Sequence, residues 1–381
     1  MKARLRRALE RVSKNTLAVI AGSALVIAVV ALVVALVAVS GDGGGGAPAA
    51  QQGSPVPRTT AVLGNDSPVT ARPTGTVGPA PTAAPVDCPA ATVSVSNAGE
   101  LEDALDAARP GAVIGVHDGT YEGKFVAKTP GTKDQPIRLC GGPKAVLDGG
   151  GVKAGYVLHL DGASYWQVSG LTLRNGQKGL MADRVTGVLI DGLTVEQIGD
   201  EGIHLRNFSS DNTVRGNVVR DTGLRRDTFG EGIYIGTAQS NWSTVTGGAP
   251  DTSDRNVVEG NTITATTSES IDIKEGTTGG RVVGNTFDGA NLSGSHADSW
   301  IDVKGNGWLI QGNKGRNSKQ DGFQTHSVVD GWGTANVFKA NTAEVNGPGY
   351  GFAFTPVLGN TFSCDNTVTA AAKGPGNIPC V

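Results

Sequence analysis

Only four of the 381 residues are cysteine, and none stands in a CxxC pair or a Cys/His spacing. A structural zinc centre needs such spacing and is excluded. Basic excess is also missing. The formal net charge is −3, and residues 1–40 carry six basic side chains against Glu10 alone, which leaves about −8 for the rest. That balance argues against a nucleic-acid partner. Thr16–Val39 contains no charge at all, only a run of 24 residues that are almost all Ala, Val, Leu and Ile. No polar face breaks the run, so it does not read as a core helix. Residues 40–87 have few large apolar side chains among their Gly, Ala, Pro, Thr and Ser. Such a stretch cannot bury enough surface to offset the entropy of ordering.

These gaps divide the chain into four parts. Residues 1–15 form a basic segment with Lys2, Arg4, Arg6, Arg7, Arg11 and Lys14. Residues 16–39 exceed the roughly 20 that a helix needs to span a bilayer, so they are expected to be a signal-anchor with the basic flank cytoplasmic. Residues 40–87 are expected to be a disordered linker, and residues 88–381 an extracellular folded domain. A cleaved signal peptide is the alternative, with Ala38-Val39-Ser40 as the small-residue site, and would give a secreted protein. All four cysteines lie where disulfides persist. Of the three possible pairings, Cys88–Cys140 with Cys364–Cys380 is expected, one clamp at each end of the domain.

Residues 96–109 carry Leu101, Ala104, Leu105 and Ala108 at helical spacing, with Ser96 or Asn97 to cap the start and Pro110 to end it. From Tyr156 the chain repeats. VLHLDG, GLMADR, GIHLRN, GIYIGT, SIDIKE, WIDVKG and GFQTHS align, with unit starts at 156, 178, 201, 231, 269, 299, 321 and 349. A second phrase follows in each unit: SGLTL, DGLTV, RGNVV, EGNTI, VGNTF, QGNKG, KANTA and LGNTF. Short strands between Gly/Asn turns cannot bury their apolar side alone and must stack on their neighbours. The expected fold is all-β, a right-handed parallel β-helix of about eight coils with an N-terminal capping helix. A leucine-rich repeat fits less well, because the repeat length varies and no helix interrupts the units. Asn217, Asn261, Asn285, Asn313, Asn341 and Asn360 are expected to form one structural column.

Strand side chains alternate, so Ile203 and Leu205, Ile271 and Ile273, and Ile301 and Val303 point inward. The residues between them then face out. One outward column reads His204, Tyr234, Asp272, Asp302, Gln324, and a second reads Arg206, Gly236, Lys274, Lys304, His326. Glu231 and Glu269 meet at the preceding turn. Adjacent coils lie about 4.8 Å apart, so Asp272 should neighbour Asp302 and Lys274 should neighbour Lys304. A bland reading makes these charges an ion-pair lattice on a solvated sheet.

ELEDALDAARPGAVIGVHDGTYEG and PIRLCGGPKAVLDGGG resemble the entry into the pectate-lyase-like β-helix proteins. SESIDIKEGTTGGRVVGNTF is similar to the active coil of polysaccharide lyase family 6, the chondroitinase B and alginate lyase family. The resemblance implies a cell-surface protein, expected to be a monomer, that acts on a polysaccharide by Ca²⁺-assisted β-elimination. Glu231 and Glu269 would hold the metal. Lys274 would be the base, with a pKa lowered by Lys304, and Lys304 would stabilise the enolate-like intermediate. His204, Arg206, Tyr234, Asp272, Asp302, Gln324 and His326 would line the substrate groove. The family has Arg where this chain has Lys304, His where it has Gly305, and a second acid where it has Thr267. A non-catalytic carbohydrate-binding or cell-wall module is the alternative. A glycoside hydrolase using Asp272 and Asp302 as its carboxylate pair is a third reading. Trp242 and Trp332 are expected to offer aromatic faces to sugar rings.

Overall fold

The computed structural model describes residues 88–381, together with Ala83 and Val86. The signal-anchor, the basic segment and nearly all of the linker lie outside the described residues. Among those described, no helix is long and apolar enough to cross a membrane.

The described chain winds into a right-handed parallel β-helix with three sheets of 11, 10 and 10 strands. The coils therefore number about ten rather than eight. The eight units legible in the sequence are the middle ones. Phe125–Ala127 adds a strand below them and Gly374–Gly376 adds one above. These end coils carry little of the repeated phrase, because a terminal coil has only one neighbour to match.

Each inward column is continuous. Ile203, Ile233, Ile271, Ile301 and Phe323 pair in register, as do Leu205, Ile235, Ile273 and Val303. The capping helix spans Ala98–Ala107. The Asn97 side chain accepts from Glu100 N at 3.0 Å, and Glu100 Oε2 accepts from Ser96 N at 2.8 Å. This reciprocal cap satisfies two backbone donors. Leu101 and Leu105 enter the first coil's core, which covers its open edge. Both expected disulfides, Cys88–Cys140 and Cys364–Cys380, are present.

Two asparagine ladders run up the molecule. In the first, Asn217, Asn261, Asn285, Asn313, Asn341 and Asn366 pass side-chain bonds of 2.9–3.0 Å from coil to coil. Asn360 does not belong to it. That residue accepts from Asn336 N at 2.8 Å, in a second ladder at a different turn. The phrases LGNTF and DNTVT look alike in sequence but precede strands of different sheets. Gly216, Gly260, Gly284 and Gly312 each precede a ladder residue with φ between 61° and 67°, a left-handed turn that glycine adopts without strain.

Trp300, in a position that is small elsewhere, is fully buried. Its indole occupies space that side chains at Gly315 and Gly322 would fill, and it meets Phe323 edge-on at 5.5 Å. Gly315 stands in a column that elsewhere holds Leu173, Val195, Ile263 and Phe287, so the tryptophan supplies the volume this coil lacks.

Replacing Asn285 by Ala should leave the buried Asn261 N without its acceptor and remove one bond each from Asn261 Nδ2, Val258 O and Asn313 Oδ1. We expect a loss of about 2–4 kcal/mol in denaturant unfolding. A loss below about 1 kcal/mol would show the ladder to be dispensable.

Candidate active site

The strands Ile203–Arg206, Ile233–Ile235, Ile271–Ile273, Ile301–Val303 and Phe323–His326 lie side by side, so their outward residues form rows across the coils. The register pairs His204 with Tyr234, Tyr234 with Asp272, Asp272 with Asp302, and Asp302 with Gln324. These rows do not lie on a solvated surface. The long connections after Arg220, Ile235 and Asp288 rise beside the sheet as walls and flank a cleft of about 1140 Å³. His204, Asp272 and Asp302 are each buried at its floor.

A chain of charges runs along the floor. Lys274 Nζ lies 2.6 Å from Asp272 Oδ2, and Lys304 Nζ lies 2.8 Å from Asp272 Oδ1. Lys304 also lies 2.6 Å from Asp302 Oδ2, and His326 Nδ1 lies 2.9 Å from Asp302 Oδ1. Two stacked carboxylates and two stacked ammonium groups would each repel. Alternation turns both repulsions into bridges.

This order reverses one expectation. Burial works to lower the Lys274 pKa, but Asp272, with help from Glu231 and Asp302, outweighs it and raises the value above that of an ordinary lysine. Burial is outweighed in the same way at Lys304 by Asp272 and Asp302. Lys304 therefore does not depress Lys274, and both rest as ammonium ions. Asp302 is held below the usual carboxylate range because Lys304 and His326 overcome its burial. Asp272 has a cation on each oxygen. Asp302 is therefore not placed to rest as the protonated acid that a glycosidase pair requires.

Tyr234 stands between Lys274, whose Nζ is 5.0 Å from its ring centre, and His204, whose ring is 4.4 Å away. Burial, then Asp272 and Glu231, raise its phenol well above the ordinary value, so it is neutral. His204 Nε2 meets Gly236 O at 2.9 Å, and Nδ1 lies 3.5 Å from Glu201 Oε1. Burial lowers the His204 pKa. Arg206 is tied to Asp183 at 2.8 Å. Gln324 alone of the expected groove residues does not line the cleft. It turns back to donate to Asp321 Oδ2 at 2.8 Å. Trp242 is also withdrawn, buried with its indole N–H on Thr237 O at 2.8 Å.

Glu231, Glu269 and Asp272 each offer an oxygen within 4.8 Å of the others, a set that could hold a metal. Glu231 Oε2 is buried without a partner. Burial pushes Glu231 well up, and burial with Asp272 pushes Glu269 up to about 8.

Several cleft residues were not among the site residues expected from the sequence. Lys178 and Glu201 pair at 2.6 Å, Arg225 binds Asp200, and Glu275 keeps one buried oxygen free. Arg226 and Phe229 stand on a wall. The one available signal was unit length, since the unit starts step by 30, 38 and 30 residues where the walls rise.

His326 and His204 should titrate on opposite sides of the usual value near 6.5. The bond to Asp302 raises His326, so its contribution to stability is present below about pH 6.5 and fades as pH rises through the raised value. His204 should resist protonation until below about 6.5, and protonating it should cost stability. NMR titration of the two imidazoles measures both, and coincident midpoints would refute the assignment.

A family model described as periplasmic copper-binding protein (NosD) matches residues 144–313. A search of curated proteins finds no match. Among solved structures, pectate lyase Pel9A is similar at 14% identity over 73% of this chain and 72% of that one, with a TM-score of 0.46. A mannuronic acid-specific family 6 lyase from human gut microbiota is similar at 13% identity over 73% of this chain and 82% of that one, with a TM-score of 0.42. The alginate lyase of Paenibacillus sp. str. FPU-7 is 36% identical over 74% of this chain and 96% of that one, with a TM-score of 0.69. On that identity and coverage, the chain belongs to the family of this alginate lyase, among the right-handed parallel β-helix proteins of the pectate-lyase-like superfamily.

Proposed function

We propose that this protein is a polysaccharide lyase that cleaves a uronate polymer of the alginate type by β-elimination. The observation that carries the reading is the paired ammonium row, Lys274 and Lys304, set on the floor of a cleft beside the neutral phenol of Tyr234. Elimination needs a positive charge beside the uronate carboxylate, a base for the C5 proton and an acid for the departing O4. Lys304 is the fixed cation. Tyr234 arrives with the proton that O4 takes. Lys274 is the base, once it has released its resting proton.

That assignment has a pH signature. A base raised above its ordinary value of 10.5 is free in fewer than about one molecule in a thousand at pH 7. The rate kcat/KM should therefore climb nearly tenfold per pH unit through the alkaline range. Lys274→Ala should abolish product formation without unfolding the domain, since Lys274 lies outside the core. Lys274→Arg separates two roles, because Arg keeps the charge but cannot act as the base. Loss of about 10²-fold or more supports the base. Retained activity would make Lys274 a second cation and pass the base role to another group. A chain that neither cleaves nor binds any uronate polymer would return the site to the non-catalytic reading.

Two buried carboxylates as close as Glu231 and Glu269 do not both remain bare anions; each pair holds a proton or a cation. The unpartnered Oε2 of Glu231 and its all-oxygen company fit a hard ion such as Ca²⁺. Asp272 is a weaker donor, with both oxygens already held. A calcium ion there would neutralise a uronate carboxylate. Chelation should lower the Tm and the activity, added Ca²⁺ should restore both, and Glu231→Gln should weaken calcium binding in calorimetry. If the Tm and activity are indifferent to chelator, the pair carries protons instead.

A further inference from the structure

The segment Asp221–Gly230 forms part of the cleft wall ahead of Tyr234's strand, and it is fastened at many points. Arg225 forks Asp200 at 2.9 and 2.5 Å. Leu224 N donates to Ile198 O at 3.1 Å, and Arg225 N to Gly199 O at 2.7 Å. The Thr222 hydroxyl reaches Gly230 O at 2.6 Å. The carbonyl of Asp227 accepts from the hydroxyls of Thr267 at 2.8 Å and Ser268 at 3.0 Å. A segment held this firmly nevertheless leaves the Phe229 ring 42% exposed on the wall. The Arg226 guanidinium stands 5.7 Å from the centre of that ring.

Arg226 differs from its neighbours. Arg206 and Arg225 are each bound by an aspartate, whereas Arg226 makes no ion pair among the described residues. The cleft thus offers an apolar ring and, over one of its faces, a cation that no carboxylate holds, which leaves the other ring face for a ligand. A uronic acid residue matches both, because its pyranose ring has an apolar C–H face and its rim carries a carboxylate. A neutral sugar would use only the ring, and a small anion only the guanidinium.

We propose that Phe229 and Arg226 form a uronate subsite on the cleft wall, distinct from the Lys274 and Lys304 row. Phe229 receives the C–H face of one sugar residue, and Arg226 forks its carboxylate. The subsite rests on the lyase reading, and its role is to hold polymer rather than to move protons.

Steady-state kinetics and calorimetry on the full chain with alginate test it. Arg226→Ala should raise KM and Kd about threefold to tenfold, lower kcat less, and flatten the dependence of Kd on salt. Arg226→Lys should restore the salt dependence but only part of the affinity, because an ammonium ion cannot fork. Phe229→Ala should weaken binding by a similar factor with its salt dependence intact, and Phe229→Tyr should bind normally. If the parent chain binds and Arg226→Ala and Phe229→Ala match it in KM and Kd, the subsite is wrong and the lyase reading survives. If the parent neither binds nor cleaves uronate polymer, the lyase reading falls and the subsite with it.

Discussion

Everything in this domain follows from coils stacked about 4.8 Å apart in strict register. In such a stack each side chain meets its counterpart one coil above and one below, so a residue is compatible with the fold only if its column is. Inside, the rule is easily met. Isoleucine on isoleucine makes a continuous core, and asparagine on asparagine makes a ladder in which each amide satisfies the next coil's backbone. Where a column runs short of volume, as at Gly315, a tryptophan on a neighbouring strand makes up the difference.

Outside, the same rule creates a difficulty that becomes chemistry. Stacking places Asp272 on Asp302 and sets their lysines side by side. The charges are tolerable only because Lys304 bridges the two carboxylates and Lys274 pairs with Asp272, and the walls then shelter the arrangement. Burial alone would discharge the lysines, but the bridging aspartates keep them charged. The row is consequently fixed in place with its lysines charged, which is what the proposed lyase reading asks of it. The neutral phenol of Tyr234 and the proton-poor imidazole of His204 have the opposite origin. Tyr234 is buried beside excess negative charge, and the burial of His204 outweighs the pull of Glu201.

The walls impose the asymmetry that a stack of like coils lacks. Long connections enter only at the middle coils, so one stretch of one sheet becomes a cleft while the other outward columns stay simple ion-pair ladders, such as Arg174 with Asp148 and Arg220 with Glu196. Those ladders carry similar charges without a cavity. Charge in register is therefore not sufficient for a site, and enclosure is the added condition.

Periodicity was enough to predict the parallel β-helix, the capping helix and the identity of the facing residues, because alternation and repeat length are local properties that translate directly into register, whereas the disulfide pairing was one of three possible connectivities until the structure decided it. The column His204, Tyr234, Asp272, Asp302 could be written down for the same reason. Local pattern could not count the end coils, which have one neighbour and repeat poorly. It also could not tell two ladders apart, since Asn360 and Asn366 follow similar phrases at different turns. Whether a column faces open water or a walled cleft depends on the long connections between strands. The protonation of Lys274, the withdrawal of Gln324 and Trp242, and the placing of Phe229 beside Arg226 depend on that enclosure. Only the tertiary structure decided them, because burial and the distances between charges are set by contacts that no repeat encodes.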